Sequence, residues 1–199
     1  MADDVTIKLN DSGVRAALEK LRLGLPLGGS MLPAMQNMGR VLMTGAQLRF
    51  RSTSGPDGAA WEKSFRAKHE GGQTLSLSRR LRNSITYKAT GSSATVGTPV
   101  VYAAIHQFGG TVRAKNAQFL SIPVTKEARN TIGGPRNMPG LHVAQTLKGQ
   151  FILVNDKGVT QYLLRKQVTI PARPFLGVSA GDRVELIGVA ERFLQARWT

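Results

Sequence analysis

Cysteine is absent from this 199-residue chain, which excludes disulfide bonds and thiolate-ligated metal sites. Long apolar runs are absent too. No stretch of about 18 uninterrupted apolar residues occurs, so the sequence predicts neither a membrane span nor a membrane partner. The first residues, MADDVTIKLND, are acidic where a secretory signal is basic, and no apolar segment follows them. We therefore expect a chain without a secretory signal.

Acidic residues are few: 12 Asp and Glu stand against 27 Lys and Arg, a formal net charge of +15. Such an excess attracts polyanions, meaning nucleic acid, acidic protein surfaces or anionic lipid. Aromatic residues make up only 6% and are not interleaved with the basic groups, so a base-stacking platform is not expected. The basic residues form small groups on separate segments: Arg49 and Arg51; Arg79, Arg80 and Arg82; Arg113 and Lys115; Arg165 and Lys166. They are read either as a solvated basic surface or as contacts for DNA phosphates or an acidic partner.

Hydrophobic periodicity predicts a strand and two helices at the start of the chain. DVTIKLN alternates apolar and polar residues, as a half-buried strand does. A first helix is predicted on the stripe Val14, Ala17, Leu18 and Leu21. A second helix is predicted from a Ser30 cap to about Phe50, with Pro33 tolerated in its first turn. Its packing face is the stripe Met31, Met35, Met38, Leu42 and Ala46.

The middle of the chain predicts a loop, a hairpin and short helices. SGPDG has turn chemistry, and Trp61 is expected to anchor that loop on the body of the protein. Leu77 and Leu81 share a helical face, with arginines around it. ITYKAT and SATVGT predict an antiparallel hairpin. In VYAAIHQFGG, the residues Tyr102, Ile105 and Phe108 are predicted to pack from one face of a helix that ends at Gly109.

The last third predicts further hairpins and a terminal helix. FLSIPVT reads as a strand, KEARNT as a helix and IGGPRNMPG as a flexible loop. FILVND and TQYLLRKQVTI form a second hairpin around 156–158. PARPFLG is an extended connector. Ser179 and Asp182 have the spacing of a capping box, and the following helix places Val184, Ile187, Leu194 and Trp198 near one face.

These elements predict the α+β class: an antiparallel sheet of hairpins packed with N-terminal helices and a C-terminal helix. We expect one domain over 1–199, with a flexible insertion at about 115–168.

Motifs for catalysis are nearly absent. GVSAG (177–181) fits the pattern of a nucleophile elbow, but the last histidine, His142, precedes Ser179, so no histidine base follows it. Ser179 is also well placed as a helix cap. No phosphate-binding glycine loop occurs, and His69, His106 and His142 lack co-ligands at metal-binding spacing. We therefore expect no enzyme activity, no cofactor and no metal site, with a hydrolase based on Ser179 as a minor alternative.

Four motifs in order carry a family resemblance: SGPDGAAWEKS, LSRRLRNSI, VYAAIHQFGG and IPARPFLG, followed by a final helix. Over about 40–194 the chain resembles the phage virion morphogenesis or tail-completion family of Mu-like and other tailed phages. It departs from that pattern at Arg79, where the family often has glycine, and in the long stretch between the last two motifs.

The resemblance implies a non-enzymatic virion protein that completes or terminates the tail and joins it to the head at the neck. It implies a ring of identical subunits, a hexamer to match the tail, with connector or neck proteins and the tail tube protein as partners and DNA passing through the lumen. Assembly in the host cytoplasm and a place at the head–tail junction of the virion follow. The alternative is a basic, non-specific DNA-binding protein acting during packaging. The expected interaction residues are Trp61, Arg79, Arg80, Arg82, Tyr102, His106, Gln107, Phe108, Arg113, Arg173 and Phe175.

Overall fold

The structure, a computed structural model, describes residues 5–7, 16, 19 and 30–198. These residues divide into two compact units: unit 1 comprises those within Met1–Gly109 and Pro171–Thr199, and unit 2 comprises Gly110–Ile170. The helices are α1 (Leu32–Ser52), α2 (Phe65–His69), α3 (Arg80–Asn83), α4 (Ala103–Phe108), α5 (Lys126–Asn130) and α6 (Ala180–Trp198). The strands are β1 (Val5–Ile7), β2 (Thr86–Ala89), β3 (Ala94–Thr98), β4 (Gly110–Arg113), β5 (Leu120–Pro123), β6 (His142–Gln145), β7 (Phe151–Val154), β8 (Thr160–Arg165) and β9 (Gln167–Ile170).

The α+β prediction is confirmed. Unit 1 holds a three-stranded antiparallel sheet of order β1-β3-β2, which contains the predicted first strand and first hairpin. The predicted helix over 14–21 lies outside the described residues, apart from Ala16 and Glu19, which are helical. α1 begins at Leu32 with Met31 as its N-cap, and Ser30 Oγ accepts the N–H of Leu32 at 3.2 Å, so the predicted start was one residue early.

The core of unit 1 lies between α1, the sheet and α6. Met35, Met38, Leu42 and Ala46 of the predicted stripe are buried there. This confirms the packing face of α1, which follows from the 3.6-residue period of the helix. Gly39 is needed at the crossing of α1 over β2, because a Cβ atom there would collide with the ring of Tyr87.

Three short-range predictions for unit 1 were wrong. On α6 the predicted set does not form the core face: Leu194 packs partly buried against the core, but Val184 is 71% exposed and Ile187 is 41% exposed. The fully buried residues of α6 include Leu186, Val189 and Ala190. Leu77 precedes α3 and is exposed, so only Leu81 packs inward. A helix of four residues is too short for apolar residues to recur at helical spacing. A single leucine in such a segment therefore does not predict which side of the helix is buried.

The third correction concerns α4. Its buried residues are Ala103 and Gln107, while Tyr102 and Phe108 are exposed to solvent. α4 has six residues, and the small Ala103 together with a polar side chain faces the core. The large apolar residues that predicted a packing face therefore lie at the surface. Gly109 ends the helix at φ 72°, as the prediction required.

Unit 2 consists of antiparallel strands in two sheets. β4 pairs with β9, and a four-stranded sheet has the order β5-β8-β7-β6. The second predicted hairpin is β7–β8. The stretch TQYLLRKQVTI, predicted as one strand, is divided at Lys166 into β8 and β9, which belong to different sheets. Tyr162, Met138 and Ala128 form its small buried cluster.

Local hydrogen bonds fix the connections of unit 2. Thr125 caps α5 by accepting the N–H of Ala128 at 3.1 Å. The loop predicted from IGGPRNMPG contains one 3₁₀ turn, Gly134–Asn137. The predicted insertion at about 115–168 falls inside unit 2, which is built almost entirely of this segment. Its flexibility stays a prediction.

None of the helices in the described residues combines the length and apolar character needed to cross a bilayer.

Candidate assembly surface

A buried glutamine joins the two most distinctive motifs within unit 1. Gln107 on α4 donates from Nε2 to the carbonyl of Leu176 at 3.0 Å. Its Oε1 accepts the backbone N–H groups of Phe175 and Leu176, each at 3.0 Å. His106 adds a backbone contact, because its carbonyl accepts the N–H of Arg173 at 2.7 Å. The extended ARPFLG segment makes no sheet pairing here, so the side chain of Gln107 satisfies its backbone groups instead.

The loop that contains Trp61 is tied to the same segment. The indole Nε1 of Trp61 donates to the carbonyl of Pro174 at 3.1 Å, and Arg173 Nε donates to the carbonyl of Glu62 at 2.8 Å. Trp61 and Phe175 both pack on Phe50, with ring centroids 5.5 Å and 5.3 Å from it. The side chains of Trp61, Gln107, Arg173 and Phe175 are buried, so they form no part of the surface of unit 1. We call these four residues, together with the ion pair described next, the frame of unit 1.

A buried ion pair completes this frame. Arg49 on α1 binds the carboxylate of Asp182 on α6 and also donates to the carbonyls of Phe175 and Gly177, at 3.0 Å and 3.2 Å. Gly45 permits this contact, because a Cβ atom there would collide with the Asp182 carboxylate. Sequence reasoning placed Arg49 in an exposed basic group, which is wrong. Its partner is 133 positions away, so no local pattern could have revealed the pair.

The predicted capping box of α6 is confirmed. Ser179 Oγ accepts the N–H of Asp182 at 3.1 Å, and Asp182 Oδ2 accepts the N–H of Ser179 at 2.8 Å. These reciprocal bonds satisfy two backbone donors at the helix start. Ser179, the serine of the GVSAG match to a nucleophile elbow, therefore uses its hydroxyl to cap α6.

The surface above this frame carries a shallow groove of about 210 Å³. Leu75, Leu77, Ser78 and Leu81 line one part of it, and Tyr102 and His106 of the α4 region line another. Leu77 is 67% exposed and Tyr102 is 42% exposed. Contiguous exposed apolar side chains of this size mark interaction sites on many proteins.

His106 lies at the base of this groove, half-buried. Its Nδ1 atom is buried and has no hydrogen-bond partner among the described residues, and the ring of Tyr102 meets its ring edge-on at 5.8 Å. Burial lowers the pKa of His106 below its ordinary value of 6.5, and the positive charge of Arg173 lowers it further. Both effects favour the neutral imidazole, which packs as a structural side chain.

Two of the predicted arginines, Arg79 and Arg80, follow the groove residue Ser78 directly in the sequence. Both are exposed and make no ion pair with any residue that the structure describes. Arg82 is half-buried and donates to Asn83 Oδ1 at 3.3 Å. Arg79 has φ 58°, the left-handed region that favours glycine, which agrees with the family pattern noted at this position.

The remaining predicted residues lie apart from the groove lining. Phe108 is 65% exposed at the end of α4. Arg113 is exposed at the end of β4, which belongs to unit 2. Within unit 1, the predicted set thus separates into a buried frame and an exposed edge formed by Arg79, Arg80 and Tyr102.

Comparison with known proteins identifies one family. Residues 9–141 match the phage virion morphogenesis family. The matched region includes the first three motifs and ends before IPARPFLG, so it starts earlier and stops earlier than the resemblance expected over 40–194. Searches of curated proteins and of solved structures gave no significant match. Because the match spans well over half of the sequence, the chain belongs to the phage virion morphogenesis family.

Proposed function

We propose that this chain completes or terminates the tail of a tailed phage and joins it to the head at the neck, as a ring around the DNA channel. Family membership gives a role in phage structure and assembly. The observation that carries the finer proposal is the construction of unit 1. Gln107 holds α4 firmly on the ARPFLG segment, while Val101, Tyr102 and Phe108 remain exposed beside it. A rigid element that presents large apolar side chains is suited to permanent contacts between proteins.

The proposed partners are further copies of the chain, the connector or neck proteins, and the tail tube protein. Six copies would match the sixfold tail that the family resemblance implies. The net charge of +15 supports a ring through which DNA passes, because a positive lumen attracts the phosphate backbone without reading its sequence. Assembly would take place in the host cytoplasm, with the finished ring at the head–tail junction.

The proposed role is non-enzymatic and needs no cofactor. It is supported by the use of Ser179 as the cap of α6. The substitution Ser179→Ala should weaken the start of α6. We expect no hydrolytic activity in the wild-type protein or in this variant. Esterase activity in the purified protein that disappears in this variant would contradict the proposal.

A joining assay tests the function directly. Heads and tails from a lysate that lacks this protein are mixed with purified protein, and infectious particles are counted. We expect the wild-type protein to restore infectivity, and Tyr102→Asp with Phe108→Asp to abolish the restoration. Val143→Asp is the matched control, because Val143 is 67% exposed on a strand of unit 2. Heads and tails that join equally well without the protein would contradict the proposal.

The second candidate, a DNA-binding protein active in packaging, is favoured by the charge alone. It predicts salt-dependent binding of duplex DNA by a monomer that is absent from finished virions. Immunodetection of the protein in purified particles separates the two candidates.

A further inference from the structure

Unit 1 carries a second groove, between α1 and α6, which differs in charge from the one beside α4. Its volume is about 480 Å³. We call it the acidic groove and define it by Val41 of α1 and Val184, Glu185, Ile187, Glu191 and Arg192 of α6.

The acidic groove combines an apolar lining with free carboxylates. Val184 and Ile187 are 71% and 41% exposed, and they stand one helical turn apart. Glu185 and Glu191 are exposed and make no ion pair with any described residue. Arg192 offsets one of these charges. In a chain with only 12 acidic residues, two free carboxylates beside exposed valine and isoleucine form a distinct surface.

The surface beside α4 has the complementary character. We call it the basic edge and define it by Leu77, Arg79, Arg80 and Tyr102. Leu77 and Tyr102 line one groove, whose lining includes Arg66 and no acidic residue. The guanidinium groups of Arg79 and Arg80 lack ionic partners among the described residues. The basic edge and the acidic groove have no residue in common, so both can be occupied at once.

We propose that the basic edge of one copy binds in the acidic groove of the next copy. Leu77 and Tyr102 contact Val184 and Ile187, while Arg79 and Arg80 pair with Glu185 and Glu191. This inference rests on the proposed function, since it specifies the contact between neighbouring subunits of the ring.

The arrangement follows from charge complementarity within a single chain. Two different surfaces that bind each other give a heterologous, head-to-tail contact, and such contacts close into a ring when the rotation between copies permits. A different protein that is acidic would fit the basic edge, and one that is basic would fit the acidic groove. A second copy of this chain fits both surfaces, because it carries both.

Charge reversal tests this contact by sedimentation velocity and native mass spectrometry of the full chain. Glu185→Lys with Glu191→Lys should weaken self-association at least about tenfold, because lysines would then face Arg79 and Arg80 of the neighbour. Arg79→Glu with Arg80→Glu should weaken it by a similar factor. Combining all four substitutions should restore association to within about threefold of wild type, since the charges are exchanged across the contact.

Controls in unit 2 test for effects of net charge alone. Glu127→Lys changes the net charge half as much as the double glutamate variant, and Lys148→Glu with Lys157→Glu changes it as much as the double arginine variant. Glu127, Lys148 and Lys157 are exposed and lie outside both proposed surfaces, so these controls should leave self-association unchanged. Circular dichroism confirms that each variant is folded.

Four results would overturn the inference: unchanged association in both double variants, failure of the fourfold variant to recover, a wild-type protein that stays monomeric, or a loss of thermal stability in folded monomers of Glu185→Lys with Glu191→Lys. The last result would show that Glu185 and Glu191 contribute to the fold of their own chain and not to a contact between copies. Detection of the protein in purified virions separates this failure from that of the proposed function. Association without incorporation into virions would contradict only the function.

Discussion

Units 1 and 2 hold their chains together in different ways. In unit 1, segments far apart in sequence are joined by buried polar side chains: Gln107 binds the backbone at Phe175 and Leu176, and Arg49 binds Asp182. In unit 2, antiparallel backbone ladders make the connections: β6–β7 and β7–β8 are hairpins, while β5–β8 and β4–β9 join strands that are distant in sequence. The buried hydrophobic cluster there consists of Ala128, Met138 and Tyr162. Buried polar side-chain contacts demand specific partners, whereas a backbone ladder needs chiefly an alternating pattern. Single substitutions should therefore cost more in the frame of unit 1.

The largest effect is expected from Asp182→Ala. The substitution leaves the buried Arg49 without a counter-ion and removes one half of the capping box, so it should lower the free energy of unfolding by about 3–5 kcal/mol. Urea unfolding followed by tryptophan fluorescence measures this loss, because both tryptophans belong to unit 1. Glu127→Ala is the matched control, since it removes an exposed carboxylate from the first turn of α5 and should cost at most about 1 kcal/mol. Equal losses in the two variants would contradict the comparison.

A smaller effect is expected from Gln107→Leu. Leucine has a similar size but leaves two backbone N–H groups and one carbonyl of ARPFLG without partners, which should cost about 2–3 kcal/mol in all. The fluorescence of Trp61 in a Trp198→Phe background should report the change, since Trp61 binds the carbonyl of Pro174. Gln145→Leu in unit 2 removes a single exposed hydrogen bond to Gly149 and should cost under about 1 kcal/mol. If Gln107→Leu cost no more than Gln145→Leu, water would be replacing the hydrogen bonds that Gln107 makes, and the prediction would be contradicted.

In unit 2 the corresponding test is Tyr162→Phe. The hydroxyl of Tyr162 donates to the carbonyl of Ala128 at 2.8 Å, and its removal should cost about 1 kcal/mol. Thermal unfolding followed by far-ultraviolet circular dichroism measures the change, because unit 2 contains no tryptophan. A loss as large as that of Asp182→Ala would remove the distinction between the units.

The smallest effect concerns pH and His106. Its pKa is lowered in the folded protein, so between pH 6.5 and that lower pKa the unfolded chain binds more protons. Stability should therefore fall as the pH drops below 6.5, and the contribution of His106 is lost completely below the folded pKa. His106→Gln should flatten this part of the curve of unfolding free energy against pH, whereas His142→Gln should leave the contribution of His106 in place. An unchanged curve in His106→Gln would contradict the assignment.

Local patterns predicted much of the fold and little of the frame. The β2–β3 and β7–β8 hairpins followed from alternation and turn residues, and the packing face of α1 followed from its period over several turns. The capping box at Ser179 was also readable, since its two members are three residues apart.

The rest depends on tertiary partners. Arg49 lies on a long helix near other basic residues, and only the fold shows that Asp182 reaches it. The faces of α4 and α6 were misread because large apolar residues were assumed to point inward, whereas Tyr102, Val184 and Ile187 are exposed. Gln107 was expected among the interaction residues, and its burial against ARPFLG is the part that the sequence could not supply.

The pairing of β4 with β9 has a consequence for how such a chain can change in length. Gly110 and Ile170 are partners in that ladder, so the 61-residue unit 2 begins and ends at neighbouring positions. The entropy of closing a loop grows only slowly with its length, so a segment anchored in this way can be shortened or exchanged with little effect on what precedes and follows it. If this segment were inserted, shortened or replaced during evolution, the chain would still leave unit 1 after Gly109 and return to it at Pro171. Unit 2 is thus the part of the protein most open to evolutionary replacement, and a short turn between Gly109 and Pro171 is the natural design for a minimal version.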